Sequence, residues 1–244
     1  MLRAWQEAGL FNDIYVVDPH FQAPSIHCLK SCADLPQSLR PDIACIAVKP
    51  QNFSSITLPE TVTPRLVLSI MAGITLTKLE NRFPQSVSIR AMPNLPASIG
   101  AGATIACTNN RLSAADKQLI DNMLAATGYC AWVDDEKQLD AVTALSGSGP
   151  AYLFRLIEIL SQAGTELGLP TELATNLAKH TIIGAAKLAE QSDQPAKQLR
   201  ENVTSKGGTT EAALQVLDSN NALQLLFSKA LEAAAQRSRE LSAK

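Results

Sequence analysis

Short, nearly continuous apolar runs recur through the first 134 residues and alternate with polar or helical stretches. The runs lie at residues 14–17, 42–48, 66–70, 86–90, 101–107 and 129–133. Such runs are typical of strands that are covered on both faces, as in a parallel sheet with helical crossovers. The spacing of apolar residues predicts crossover helices over residues 75–83 and 113–126. The pattern therefore predicts an α/β domain over residues 1–134.

Beyond about Val133 the strand signals stop and helical periodicity takes over. The predicted helices cover residues 135–145, 151–167, 171–190, 195–201, 211–217 and 222–241. Ser146–Pro150 is predicted to interrupt the first two, and Thr171 to cap the third. This predicts an all-α domain over residues 135–244. The expected fold class is α/β, a Rossmann-like parallel sheet domain followed by an all-helical C-terminal domain.

Composition and charge narrow the class of protein. The chain has 46% hydrophobic residues, 18% charged residues and a formal net charge of -2. It lacks the basic excess that is typical of proteins that bind nucleic acid or membrane surfaces. The N-terminus does not have the layout of a signal peptide, and no apolar run reaches the roughly 20 residues that cross a bilayer. The odd number of cysteines, five, argues against a disulfide framework. We therefore expect a cytoplasmic protein.

One cluster near the N-terminus could suggest a metal site. It contains His20, His27, Cys28 and Cys32. Their spacing fits no familiar zinc pattern, and no second pair of ligands follows. We expect loop and core residues here, and no metal.

A nucleotide-binding domain of the Rossmann type normally opens with a strand and the glycine fingerprint G-x-G-x-x-G. This sequence contains no such motif, and residues 2–9 resemble the tail of the helix that would follow it. We expect the first strand and glycine loop to be lacking, through a mis-set start, a shortened chain or a degenerate paralogue. Asp18 follows the first apolar run, where an acidic residue commonly holds the adenosine ribose and favours NAD over NADP. The alternative is that Asp18 simply starts a turn before Pro19.

Four segments, in this order, resemble the Δ1-pyrroline-5-carboxylate reductase family. They are Ala47–Pro50, Arg90–Pro96, Asp140–Tyr152 and Glu201–Thr210. Each alone could be an ordinary loop, but their order over nearly the whole chain is specific. One departure is Lys206, which stands where the family usually has proline.

The resemblance implies an NAD(P)H-dependent reduction of 1-pyrroline-5-carboxylate to L-proline, the last step of proline biosynthesis. It implies NADPH or NADH as cofactor, a small-molecule substrate, and a homodimer or an assembly of dimers, with neither nucleic acid nor membrane as partner. A related 3-hydroxyacid or imine reductase is disfavoured, because the interdomain helix carries no lysine before Glu158. The alternative from another class is an inactive or truncated paralogue that acts only as a helical dimerisation module.

The resemblance also implies the site residues. Those expected to bind the substrate are Asp193, Ser205, Gly207, Gly208, Thr209 and Thr210. The expected catalytic residues are Thr143 and Lys49. The cofactor is expected to contact Asp18, Ala47, Val48, Lys49, Pro50, Ile70, Met71, Ala72, Asn94 and Asn202.

Local chemistry agrees with the substrate loop. Residues 205–210 offer glycines, hydroxyls and backbone N–H groups at a helix start, a combination that binds carboxylates. On these features alone, the segment could equally be an ordinary helix-entry loop.

Overall fold

A computed structural model describes residues 1–243. The chain divides into two compact units: residues 1–147 together with the C-terminal residues from Ala234, and Ser148–Ala233. The compact units divide after Gly147, and the end of the last helix belongs to the first unit. The domain boundary expected at residues 134/135 stays a prediction.

Within residues 1–243, seven strands form two sheets, all in the first unit. The first sheet pairs β1 (Tyr15–Val17) with β2 (His27–Leu29) in parallel. The second sheet has the order β3-β4-β5-β6-β7. Its strands are β3 (Ile43–Ile46), β4 (Leu66–Ser69), β5 (Val87–Met92), β6 (Gly102–Cys107) and β7 (Gly128–Trp132). The predicted strands are thus present, and the very short β2 is additional.

The large sheet is parallel except at one pair. β5 and β6 run antiparallel, whereas β3, β4 and β5 are mutually parallel, as are β6 and β7. The link between β5 and β6 contains only a 3₁₀ helix, Leu95–Ile99. Such a short link joins antiparallel strands, because a parallel pair needs a longer crossover. The predicted Rossmann-like parallel sheet is confirmed, with β5 and β6 as an antiparallel pair within it.

Helices cover both faces of the large sheet. In the first unit they are α1 (Leu2–Glu7), α2 (Leu76–Arg82), α3 (Ala114–Ala125) and α4 (Gln138–Val142). One core cluster includes Val67, Leu79 and Leu139, and the other includes Leu66, Leu68 and Ile120. Because neighbouring residues of β4 alternate between the clusters, both faces of the strand are buried, which explains its continuous apolar run.

The predicted break after α4 is instead a widened helical turn. Thr143–Gly147 forms a π-helical turn, and α5 (Gly149–Glu166) follows almost at once. Pro150 lies in the first turn of α5, where its missing N–H costs no intrahelical hydrogen bond. The glycines and proline of this segment therefore do not end the helical path.

The second unit is wholly helical. After α5 come α6 (Thr171–Gln191), α7 (Ala196–Asn202), α8 (Thr209–Leu217) and α9 (Ala222–Ser242), and α9 ends in the first unit. The predicted cap at Thr171 was wrong: Thr171 is already helical, and Pro170 holds the N-cap position without a side-chain hydrogen bond. Within residues 1–243, no helix combines the length and apolar character needed to cross a membrane.

A buried ion pair joins the sheet to two helices. Arg90 on β5, only 4% exposed, donates from Nη1 to Oε1 of Glu136 at 2.8 Å. The same carboxylate oxygen accepts the backbone N–H of Leu76, the first residue of α2, at 2.8 Å. Glu136 therefore neutralises a buried charge and satisfies a free N–H group at a helix start.

We expect Glu136→Ala to lower the free energy of unfolding by about 3 kcal/mol, because it leaves the guanidinium buried without its partner. The measurement is urea unfolding followed by circular dichroism at one fixed protein concentration. Lys137→Ala, which changes an exposed neighbour, is the control and should change stability little. Equal effects of the two variants would contradict the role given to Glu136.

Candidate functional site

Two predicted cofactor segments leave the large sheet side by side. Residues 47–50 follow β3 and are exposed, and residues 70–72 follow β4. The N–H of Ile70 donates to the carbonyl of Ile46 at 3.1 Å, so the parallel pairing continues to the point where both loops begin. The carboxyl ends of neighbouring parallel strands are where open α/β sheets bind ligands. The structure thus brings these two segments together.

The first segment combines an exposed apolar side chain with a positive charge. Val48 is 39% exposed. Lys49 is also exposed and precedes the 3₁₀ helix Pro50–Ser55 as its N-cap residue. The second segment is more enclosed: Met71 is buried, and its N–H donates to Oγ of Ser69 at 3.3 Å.

The C-terminal helix braces the second segment. Gly73 adopts a φ of 76°, and a Cβ there would lie 3.0 Å from the carbonyl oxygen of Leu241. Lys78 on α2 also donates from Nζ to the carbonyl of Ser242, at 3.1 Å. The end of α9 thus packs against the turn that carries Ile70–Ala72.

Asp18 does not follow a strand of the large sheet. It follows β1, which belongs to the separate two-stranded sheet. Its carboxylate accepts the N–H of His20 at 2.8 Å. This contact is the turn-forming role that the sequence allowed, and the exposed carboxylate remains available to a ribose hydroxyl.

Asn94 and Thr143 are joined through the π-helical turn. Oδ1 of Asn94 accepts the N–H of Ala103 at 2.8 Å, and its amide nitrogen donates to Oγ of Ser146 at 3.3 Å. The hydroxyl of Thr143 donates to the carbonyl of Leu139 at 2.7 Å. The Thr143 hydroxyl therefore has its proton engaged, and its oxygen can accept a hydrogen bond.

A further contact steadies α4 from the C-terminus. Oγ of Ser238, which is buried, donates to Oδ1 of Asp140 at 2.6 Å. Sequence reasoning missed Ser238, Glu136 and Ser146. Only Ser146 carried a signal, because it lies within the Asp140–Tyr152 segment.

The predicted substrate loop lies in the helical unit and begins α8. Gly207 has a φ of 73°, in the left-handed region that favours glycine. A Cβ on Gly208 would lie 2.4 Å from Oγ of Ser205, so only glycine fits there without displacement. Gly207 thus has a backbone reason to be glycine, whereas at Gly208 the nearest obstacle is the side chain of Ser205.

The same loop already holds a carboxylate. Oε2 of Glu211 accepts the N–H of Gly207 at 2.6 Å. Sequence reasoning did not single out Glu211. The contact shows that this backbone N–H binds an anionic oxygen, here one from the first turn of α8.

The remaining predicted residues of the helical unit flank the link between α6 and α7. Asn202 donates to Oε1 of Gln194 at 2.8 Å and accepts from Nε2 of Gln198 at 3.0 Å. Asp193, beside Gln194, is exposed. The fold thus brings the 193–194 link to the end of α7.

The helical unit has little core of its own. Ala174 and Ala178 are its only buried hydrophobic residues in the described part of the chain. Large apolar side chains of α5 and α6 are exposed instead: Leu153, Phe154, Ile159, Leu160, Leu173, Leu177, Ile183 and Leu188. An apolar surface of this kind marks a protein–protein interface.

Burial keeps two cysteines in the thiol form. The pKa of Cys107 is raised to about 12, mainly by burial and also by nearby Glu136 and Asp135, while Arg90 acts to lower it. Burial also raises the pKa of Cys45 to about 12. Among residues 1–243, no three His, Cys, Asp or Glu side chains are grouped so that they could hold a metal ion.

Solved structures share this architecture. The crystal structure of Plasmodium falciparum pyrroline carboxylate reductase with NADP bound matches with a TM-score of 0.82 at 30% identity, covering 98% of this chain and 92% of that one. A pyrroline-5-carboxylate reductase from Coxiella burnetii matches with a TM-score of 0.78 at 38% identity, covering 89% and 81%. The fold, the paired strand-end loops and these relatives define an NAD(P)-dependent oxidoreductase with a nicotinamide cofactor.

Sequence relatives specify the family. Pyrroline-5-carboxylate reductase from Pseudomonas aeruginosa is 42% identical over 205 residues, which are 82% of this chain and 75% of the relative. Residues 136–241 match the pyrroline-5-carboxylate reductase dimerisation family. The chain belongs to the pyrroline-5-carboxylate reductase family. The dimerisation match and the exposed apolar helices indicate a homo-oligomer. Nothing in these comparisons favours the alternative of an inactive dimerisation module.

The raised pKa of Cys107 yields a test of thiol reactivity. At pH 8 a pKa of about 12 leaves on the order of one thiol in 10⁴ as thiolate, and burial also blocks the reagent. We expect iodoacetamide at pH 8 to leave Cys107 unlabelled in the native protein and to label it in urea, as measured by peptide mass spectrometry. Rapid native labelling of Cys107 would overturn its placement in the core.

Proposed function

We propose that this chain reduces 1-pyrroline-5-carboxylate to L-proline. A hydride from NADPH or NADH adds to C5 of the imine, and the ring nitrogen carries the proton that completes the amine. The observation that carries the proposal is the loop at the start of α8, where the N–H of Gly207 binds a carboxylate at 2.6 Å. The substrate is a small ring whose anionic group requires such a site.

Carboxylate recognition is assigned to the substrate loop. The N–H of Gly207 and the hydroxyls of Ser205, Thr209 and Thr210 are the donors, assisted by the positive end of α8. Gly208, whose own N–H donates to the Ser205 carbonyl at 3.0 Å, is assigned to let the substrate approach the backbone closely. Asp193, whose carboxylate is exposed, is assigned as a further substrate contact.

The residues at the strand ends suit a nicotinamide dinucleotide. Exposed Val48 offers an apolar contact to a ring and Lys49 a positive charge to a pyrophosphate, while Pro50, Ala47 and the Ile70–Ala72 segment supply backbone. Asp18 is proposed to contact the ribose, and Asn202 is proposed as a cofactor contact from the helical unit. When bound, the cofactor supplies the hydride, and the protein supplies orientation and electrostatics.

Two side chains are proposed as catalytic. The Thr143 hydroxyl donates to Leu139, so its oxygen can accept the N–H of a protonated imine and hold the ring in place. Lys49 brings the positive charge of this strand end, and we assign it to both cofactor binding and catalysis. Because a protonated imine is already electrophilic, the mechanism needs no strong general acid.

The assembly proposed for this reaction is a homodimer, or a higher assembly of dimers, formed through residues 135–244, with the cofactor bound by residues 1–134. The enzyme is proposed to act in the cytoplasm. The large exposed apolar side chains of α5 and α6 support the choice of interface.

The purified chain should oxidise NADPH or NADH when racemic 1-pyrroline-5-carboxylate is added, which is measured as a fall in absorbance at 340 nm. Amino-acid analysis should identify proline as the product. Comparing kcat/KM for the two cofactors decides the preference, and the carboxylate of Asp18 favours NADH over the 2′-phosphorylated form. The control substrate is 1-pyrroline, which lacks the carboxylate and should react with a much higher KM. If proline forms neither with NADPH nor with NADH, the proposed function is refuted.

The Glu211 contact predicts an effect on substrate affinity. Its carboxylate occupies a donor assigned to the substrate and places negative charge beside the anion. We expect Glu211→Gln to lower the KM for 1-pyrroline-5-carboxylate about two- to fivefold, because it removes a like charge worth about 0.5–1 kcal/mol. The readout is steady-state kinetics, with the KM for the cofactor unchanged.

The control for this variant is Glu172→Gln, which changes an exposed acidic residue in the first turn of α6. It should leave both KM values unchanged. A higher KM for the imine in Glu211→Gln would show that the glutamate organises the loop and does not compete with the substrate.

A further inference from the structure

The side chain of Asn94 joins three parts of the first unit. It stands just after β5, its oxygen binds the N–H of Ala103 on β6 at 2.8 Å, and its amide nitrogen donates to Ser146 at 3.3 Å. Asn94 is half-buried, so both ends of its amide are engaged by protein groups. A side chain used in this way fixes its neighbours.

The turn that Ser146 belongs to is closely packed against β5. A Cβ on Gly147 would lie 2.8 Å from Cε of Met92, and 3.7 Å from Cγ2 of Thr143. Ser146 and Thr143 belong to the same turn, and Gly147 of that turn lies close to Met92. A shift of Ser146 would therefore also shift Thr143. π-Helical turns occur frequently at functional sites.

The other end of the same segment is tied to the same strand. Arg90 binds Glu136 just before α4, and Leu139 within α4 is fully buried. The Thr143 hydroxyl is in turn bonded to the Leu139 carbonyl. Thr143 thus lies between two attachments to β5, one through Arg90 and one through Asn94.

We propose that Asn94 is a positioning residue that fixes Thr143 for reaction by holding Ser146, and that it does not act by touching the reacting atoms. The inference rests on the proposed function of Thr143 toward the imine. Asparagine suits this position because one planar amide accepts from a backbone N–H and donates to a hydroxyl at once.

The test compares Asn94→Ala, Ser146→Ala and the double variant. We expect Asn94→Ala to lower kcat about tenfold, because a small misplacement of a positioned group is costly, while the dissociation constant of NADPH measured by fluorescence changes less than twofold. Ser146→Ala should reproduce most of the loss in kcat, and the double variant should be no worse than Asn94→Ala. Asn110→Ala is the matched control, since Asn110 is exposed and its side chain donates to the half-buried Glu80 at 3.3 Å, and it should retain full activity.

Two kinetic results would overturn the inference. A rise in the NADPH dissociation constant as large as the fall in kcat/KM would make Asn94 a direct cofactor contact. Multiplication of the two single effects in the double variant would show that Asn94 does not act through Ser146.

Thermal unfolding of the same variants tests the hydrogen bond between Asn94 and Ser146 independently of catalytic activity. Each single variant should lower the Tm by about 2–4 °C, and the double variant by less than the sum. Additive shifts would refute the contact. If the wild-type chain reduces no imine, the proposed function fails, while the unfolding cycle still decides whether Asn94 holds Ser146.

Discussion

The fold depends on one buried charge. Arg90 lies on β5, the middle strand of the five-stranded sheet, where removing a guanidinium from water costs several kcal/mol unless an acceptor is close. Glu136 is that acceptor, and it also binds the N–H of Leu76. α4 must therefore begin at this point of the sheet, and α2 must start beside it. The π-helical turn with Thr143 follows one turn later, so its position is set by the same ion pair.

Much of this architecture could be predicted from the sequence because apolar runs report burial directly. β4 is buried on both faces, and its run contains only one polar residue, Ser69. The direction of β6 could not be predicted from such a run, since its apolar pattern is the same in either direction. The signal lay in the short link after Met92, which is too short for a crossover. β2 escaped prediction because three residues are too few to show a period.

The motif residues of the candidate site could be predicted from the sequence, but the residues that hold them in place through packing could not. Gly207 is a glycine for a reason of backbone geometry, its positive φ, and such positions can be recognised within one loop. Ser238 and Asp140, by contrast, are 98 residues apart in the chain, so no local spacing announces their contact. The residues assigned to touch ligands come from local motifs, whereas those that fix them come from packing between distant segments.

The helical unit has too small an apolar core to be stable without a partner. A domain of its size normally gains its stability from an apolar core, yet here the buried hydrophobic residues are two alanines and the leucines of α5 and α6 face outward. Apolar surface of this extent is stabilised when a second copy covers it. The loop of Gly207 and Gly208 belongs to this unit. Dilution to monomers should therefore loosen the helical unit before it disturbs the large sheet, whose core clusters are formed by residues of one chain.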